Sequence, residues 1–208
     1  MRRKWTKVAV WVACLTPALW LAYGAFTNNL GTNPIEAITR GTGDWTLRFL
    51  LTTLAITPAR RLLKQPELIR FRRMLGLWAF FYASLHLMTW VWLDKFFDPA
   101  EMWADVVKRR FVTAGMAGFL CLLPLAITST KGWIRRLGKS WQRLHRLSYV
   151  AAAAGVVHYW WLVKSDVRLP ATYGLILLAL LGLRLVKARA AASKSIGIDC
   201  RQTADKVR

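Results

Sequence analysis

The chain has 208 residues, of which 55% are hydrophobic and 12 are tryptophan, and its formal net charge is +21. An ordinary soluble domain is excluded, because three uncharged runs at 8–27, 74–93 and 111–130 are each about 20 residues long, enough to cross a bilayer as a helix. The basic residues lie between the apolar runs, so the charge does not indicate nucleic-acid binding.

Six apolar segments follow one another along the chain and predict an all-α fold, a polytopic membrane bundle of six transmembrane helices. Their ranges are 8–27, 45–59, 74–93, 111–130, 147–163 and 169–186. We predict a single transmembrane domain over 1–208 that ends in a basic cytoplasmic tail at 187–208. Arg48 and Arg184 lie near segment ends, where a long side chain reaches the interface.

The distribution of basic residues predicts the orientation. The N-terminus, the loops after the second and fourth segments and the tail hold 23 Lys and Arg residues, whereas the other three loops hold seven. Because cytoplasmic flanks carry the excess of Lys and Arg, both termini are predicted to face the cytoplasm. A cleaved signal peptide is the alternative for the first segment, but its length and its tryptophans favour a retained helix.

The cysteines and the absent motifs narrow the chemistry. Cys14, Cys121 and Cys200 are far apart, so they indicate neither a disulfide framework nor a metal site. The sequence has no CxxCH motif for covalent heme, and it has no Rossmann glycine pattern, P-loop or nucleophile elbow. The sequence therefore gives no sign of a nicotinamide-binding domain of its own.

The three histidines, His86, His145 and His158, are the candidate site residues. At 1.5 Å per residue, His86 lies about 18 Å into the third segment, and His158 lies about 20 Å beyond a helix entry at His145. Two imidazoles at one depth on different helices can hold a heme iron from opposite faces. We predict that His86 and His158 are such a pair; the alternative is hydrogen bonding between helices.

His145 marks a second candidate site at the cytoplasmic mouth of the fifth segment, about 20 Å from the first. No second histidine is available there, because the position 14 residues before His86, on the same helix face, is Arg72. Arginine is a poor iron ligand but a good partner for a heme propionate or a flavin phosphate. His145 is therefore either a ligand or a solvated interfacial residue. Its 13-residue interval to His158 requires either a distorted helix or two sites on different helix faces.

A weak internal repeat connects the two halves of the chain. Leu-Ala-Ile-Thr occurs at 54–57 and again at 125–128, each time followed by a basic loop and a helix that contains histidine. The offset of 71 residues carries His86 to within one residue of His158. The pattern is typical of two related helix pairs.

Three stretches of the sequence resemble the bacterial MsrQ (YedZ) family. They are LIRFRRMLGLW at 68–78, LGKSWQRLHRLSY at 137–149 and HYWW at 158–161. The resemblance covers nearly the whole chain, including Asn33-Pro34 and the LAITP stretch at 54–58. That family is similar in turn to the membrane domain of ferric reductases and NADPH oxidases.

The resemblance implies a b-type heme protein of the bacterial inner membrane. Such a protein is a non-catalytic subunit that passes electrons from quinol or a flavin reductase to MsrP, a periplasmic molybdopterin enzyme that reduces methionine sulfoxide in proteins. The resemblance also implies one or two hemes b, with His86 and His158 as ligands and with His145 and Arg72 at an inner site. Flavin mononucleotide is a further implied cofactor, for which no residue pattern identifies a site.

Two other functions are compatible with the same residues. A stand-alone membrane reductase of ferric iron or dioxygen would use the same heme without a protein partner. A heme-free transporter or assembly scaffold would use the histidines only for hydrogen bonds between helices. A visible spectrum and the addition of a purified partner distinguish these functions from the first.

Overall fold

The computed structural model describes residues 2–186, which form a helical bundle. In chain order, the helices are α1 (Arg2–Phe26), α2 (Pro34–Leu62), α3 (Ile69–Met88), α4 (Pro99–Lys108), α5 (Arg110–Ile127), α6 (Lys131–Leu137), α7 (Lys139–Leu144), α8 (Leu147–Leu162) and α9 (Arg168–Val186). A 3₁₀ turn (Pro66–Leu68) precedes α3, and a π-helical turn (Thr89–Asp94) extends it. No strand occurs between residues 2 and 186, so the all-α class is confirmed.

Four helical segments are long and apolar enough to cross a membrane. They are Trp5–Phe26, Pro66–Asp94, Arg110–Ile127 and Arg168–Val186. These segments correspond to the first, third, fourth and sixth apolar segments of the sequence. The second and fifth segments are also helical, in α2 and α8, but α2 carries several charged residues and α8 has only 16 residues. The structure thus supports four spans by length and composition, and the full count of six stays a proposal.

Helix α2 begins well before the predicted range of 45–59. The Asn33 side chain accepts a hydrogen bond from the Glu36 backbone N–H, and Pro34 occupies the first helical position. Both features favour a helix start. The hydrophobic run missed this first part of α2 because Arg40 and Asp44 interrupt it. As a result, the middle of a membrane-embedded bundle contains a helix with ionisable side chains.

The short helices α4, α6 and α7 occupy stretches that the sequence predicted as loops. Each has ten residues or fewer, which is too short to register as an apolar segment. Helix α7 ends at His145, and the chain turns before α8 begins at Leu147. His145 and His158 therefore do not share one continuous helix, and the predicted distortion lies at this turn.

The bundle is built mainly from two helix pairs, α2 with α3 and α5 with α8. Helix α1 is attached to this core through Tyr82 of α3, whose side chain is fully buried. The Tyr82 hydroxyl donates to the Cys14 carbonyl at 2.8 Å and accepts from the Ala18 N–H at 3.0 Å. One side chain thus bridges a turn of α1 next to Pro17, where a proline inside a helix weakens the backbone hydrogen bonding.

The predicted tail at 187–208, including Cys200, lies outside the described residues. Cys14 and Cys121 are free thiols within helices, as expected from their spacing.

Candidate functional site

His86 of α3 and His158 of α8 lie in one cavity between the two helix pairs. Their ring centroids are 5.9 Å apart, and the ring planes are nearly perpendicular at 84°. Both rings line an apolar cavity formed by α2, α3, α5 and α8. This arrangement is consistent with the prediction that the two histidines lie at one depth on facing helices.

Each imidazole is oriented by a backbone carbonyl of the neighbouring helix. His86 Nδ1 lies 2.9 Å from the Thr39 carbonyl oxygen, and His158 Nδ1 lies 2.6 Å from the Phe111 carbonyl oxygen. Because a carbonyl only accepts, each Nδ1 carries the proton and donates it. Each Nε2 then holds a lone pair, and within residues 2–186 neither Nε2 makes a hydrogen bond. This is the tautomer that metal-binding histidines adopt.

Two glycines permit the close approach of the helices to these rings. A Cβ atom at Gly43 would lie 3.1 Å from His86 Cε1 and Nδ1, and one at Gly115 would lie 2.7 Å from His158 Nδ1. A larger residue at either position would displace the ring or the helix. The spacing of glycine and histidine was the signal that sequence reasoning missed.

The two halves of the site are related by an offset of 72 residues, one more than the offset between the two Leu-Ala-Ile-Thr stretches. In both halves, the histidine is hydrogen-bonded to the carbonyl of the residue 47 positions before it, and the glycine against its ring lies one helical turn after that residue. Helices α2 and α3 therefore position His86 in the same way as α5 and α8 position His158.

The spacing of the two rings fits a metal between them. An imidazole nitrogen binds a first-row metal at about 2 Å, and the ring centre lies about 1 Å behind that nitrogen, so two such ligands have ring centres about 6 Å apart. The measured 5.9 Å agrees with this value. The described residues hold no group of three or more His, Cys, Asp or Glu side chains for a bare metal ion. Two imidazoles in an apolar cavity are instead a suitable ligand set for an iron macrocycle.

The walls of this cavity are apolar except on α2. Most of the lining residues are glycine, alanine, leucine, valine, phenylalanine and methionine, and the charged exceptions are Arg40 and Asp44. Tyr159, the residue that follows His158, lines the same cavity as Asp44. Sequence analysis did not select Asp44, because it lies directly before the predicted segment at 45–59.

A wider polar mouth adjoins the histidine cavity and shares part of its wall. Thr39, Arg40, Phe111 and Tyr159 line both. Further out, its charged residues have mixed sign, and they are Glu36, Asp94, Arg109, Lys164 and Asp166. These residues lie in or beside the loops that the distribution of Lys and Arg predicts to face away from the cytoplasm.

Beside this mouth, Asp105 of α4 joins two cations, Lys95 Nζ at 2.9 Å and Arg109 Nε at 3.2 Å. The hydrogen bond from Lys95 to the Asp105 carboxylate raises the pKa of that lysine. These ion pairs connect both ends of the segment between the π-helical turn and α5 to one side chain of α4.

His145 and Arg72 line a second, smaller cavity at the opposite end of the bundle. Arg73, Trp141, Ser129 and Ser148 also line it. The His145 ring stacks on the Trp141 ring with centroids 3.8 Å apart, and its Nδ1 lies 3.1 Å from the Trp141 carbonyl oxygen. Burial lowers the pKa of His145, and the nearby Arg72 adds to this effect. The structure thus places the predicted inner residues together, with one histidine and two guanidinium groups.

Comparison with known proteins gives consistent matches. Residues 36–156 match the model of a family described as ferric reductase like transmembrane component. The chain is 51% identical over 187 residues to a protein-methionine-sulfoxide reductase heme-binding subunit MsrQ of Caulobacter vibrioides, and the match covers 89% of each chain. It is 54% identical to the Herminiimonas arsenicoxydans protein of the same name, over 94% of this chain and 93% of that one. The Rhodospirillum rubrum protein of that name is 52% identical, over 88% of each chain. No solved structure matches this chain.

Proposed function

Because this chain belongs to the MsrQ heme-binding subunits of protein-methionine-sulfoxide reductase, within the ferric reductase like transmembrane family, we propose that it is a b-type heme protein that carries electrons across the bacterial inner membrane. The observation that supports this most directly is the pair His86 and His158, with ring centroids 5.9 Å apart and both Nε2 lone pairs free. When bound, heme supplies a reversible one-electron carrier.

The residues of the chain have three tasks in this proposal. His86 and His158 hold the iron, while the carbonyls of Thr39 and Phe111 fix the ring tautomers. The apolar wall excludes water from the site. At the inner cavity, Arg72 and Arg73 provide cations for an anionic group, either a heme carboxylate or the phosphate of flavin mononucleotide, and His145 is the available ligand for a second heme.

We propose that α2 and α8 also cross the membrane, which gives six spans with both termini in the cytoplasm. Support comes from their packing, because α2 pairs with α3 and α8 pairs with α5, and both partners are apolar enough to span. The orientation rests on the 23 to 7 distribution of Lys and Arg. A reporter that is active only in the cytoplasm is expected to be active when it is fused at Arg208, and a reporter that is active only in the periplasm is expected to be inactive there. A periplasmic reporter signal would contradict the orientation and the even number of spans.

We further propose that electrons enter from quinol or a flavin reductase at the inner cavity and leave through the outer mouth to MsrP. The mouth adjoins the histidine cavity and has charged side chains of both signs that a soluble protein can contact.

The test uses the purified full-length protein in detergent or nanodiscs. A pyridine hemochrome assay is expected to give one or two hemes b per chain, and a reduced sample is expected to be reoxidised rapidly only when purified MsrP and a methionine-sulfoxide substrate are added. Reoxidation by ferric citrate or dioxygen alone, at the rate seen with MsrP, would indicate a stand-alone reductase. A protein without any heme would favour a transporter or scaffold.

The glycines beside the histidines provide a graded test of the site. We expect Gly115→Ala to reduce heme content strongly, because the new Cβ would lie 2.7 Å from His158 Nδ1, while Gly43→Ala, at 3.1 Å from His86, should have a smaller effect. Gly182→Ala is the matched control, since no atom lies within 4 Å of its Cβ position. The heme-to-protein ratio measures the effect, and equal ratios in all three variants would contradict the proposed role of these glycines.

A further inference from the structure

Asp44 places a carboxylate in the wall of the histidine cavity. It follows Gly43, whose backbone packs against the His86 ring, and it lines the cavity together with both histidines. Tyr159, which follows His158, lines the same cavity. The Asp44 carboxylate therefore lies in a wall whose other side chains are mostly apolar.

Among the described residues, the nearby cations do not form an ion pair with Asp44. Among the described residues, no Lys, Arg or His nitrogen forms a salt bridge with its carboxylate. Arg40 also lines the cavity, but it pairs with Glu36 and its side chain is 72% exposed. Solvent and salt screen a charge in that position.

Arg48, one helical turn after Asp44, is directed toward a different part of the bundle. Its guanidinium carbon lies 4.8 Å from the centroid of the Trp45 ring, and its Nε donates to the Tyr173 hydroxyl of α9 at 3.1 Å. Arg48 is not part of the cavity wall. The charge of Arg48 is farther from the cavity than that of Asp44. Its electrostatic effect in the cavity should be weaker, because the Coulomb interaction falls with separation.

From this arrangement we propose that Asp44 is a positioning residue that acts through the heme. Its carboxylate lowers the reduction potential of the heme held by His86 and His158. The positive charge of Arg48 raises that potential and so partly offsets the effect of Asp44. The proposal rests on the proposed function. Reduction of ferric to ferrous iron adds one electron to the site and moves no proton in this step. A fixed negative charge in a low-dielectric wall disfavours that added electron. A lower potential makes the reduced protein a stronger electron donor to the acceptor outside.

The test is a redox titration of the heme-loaded, full-length protein. Asp44→Asn removes the charge and keeps the size and shape of the side chain, so the midpoint potential should shift to a more positive value. Arg48→Gln should shift it in the opposite direction by a smaller amount. The double variant should lie between the two single variants. Tyr173→Phe is the uncharged control, because it removes the partner of Arg48 without changing the charge of the bundle, and its potential should stay close to that of the parent protein.

The salt dependence of the potential distinguishes the effect of the Asp44 charge in the cavity wall from the effect of the Arg40 charge at the mouth. The shift caused by Asp44→Asn should persist at high ionic strength, whereas any shift caused by Arg40→Gln should decrease. An unchanged or more negative potential in Asp44→Asn, with an intact low-spin spectrum, would overturn the inference and leave the proposed function standing. If Asp44→Asn does not retain heme, the midpoint potential of Arg48→Gln becomes the test. An unchanged or more positive potential in that variant overturns the inference. A parent protein without heme would instead refute the proposed function.

Discussion

Replacing either His86 or His158 with alanine is expected to abolish the low-spin spectrum of the heme held between α3 and α8. The two ring centroids lie 5.9 Å apart, and each ring is held by its own carbonyl, so removal of one ring would leave the iron with a single imidazole ligand. The apolar wall offers Met116 as its only sulfur. The measurement is the absorption spectrum of purified, reduced protein together with its heme content.

A matched control for this experiment is Met116→Leu, which changes the same wall without touching either imidazole. Volume-conserving substitutions of this kind usually cost less than about 1.5 kcal/mol. The control variant should therefore keep the spectrum. If His86→Ala or His158→Ala retained a complete bis-histidine spectrum in protein that is correctly inserted, the assignment of this pair would be wrong.

The second large effect is expected from His145→Ala, which should slow reduction by the inner donor and leave a heme that dithionite still reduces. His145 lies with Arg72 and Arg73 in the inner cavity, away from the pair His86 and His158. A tenfold slower reduction would correspond to a loss of about 1.4 kcal/mol in the binding of the donor or of an inner cofactor. His158→Ala, in contrast, should remove transfer to the outer acceptor entirely.

Stopped-flow spectroscopy distinguishes these steps, because it follows heme reduction by the donor and then reoxidation by MsrP in the same sample. Arg136→Ala provides a control, since it removes a basic side chain from the predicted cytoplasmic face that does not line the inner cavity. If His145→Ala were reduced at the normal rate and failed only in passing electrons outward, the proposed order of the sites would have to be reversed.

The two halves of the bundle show how the site is assembled from simple parts. One glycine, one backbone carbonyl and one histidine recur with the same separation of 47 residues between carbonyl and histidine. Related helix pairs that face each other place two equivalent imidazoles on opposite sides of one cavity. Asp44 departs from this symmetry because the corresponding wall of α5 carries Met116. The charge in the cavity is therefore a feature of one half only.

Hydrophobic runs predicted the apolar helices well, since burial in lipid requires long stretches without charge. The segments around α1, α3, α5 and α9 were located for this reason. The same criterion failed for α2, whose first part is held by the Asn33 cap and carries Arg40 and Asp44, and for the short helix α4, which is capped by Asp98. Capping and local hydrogen bonds act over three or four residues, which a hydropathy window averages away.

By itself, the sequence predicted the fold class, which the structure confirms. It also predicted the charge asymmetry between the two sides and the approximate depths of the three histidines, because these depend only on residue type and on the rise of a helix. Tertiary structure alone decided which helix faces meet. It brought both histidines into one cavity, placed Gly43 and Gly115 against their rings, and put Asp44 in the cavity wall, whereas Arg48 contacts Trp45 and Tyr173. The physical reason is that depth along a helix follows from counting residues, whereas rotation about its axis is fixed by packing against neighbouring helices.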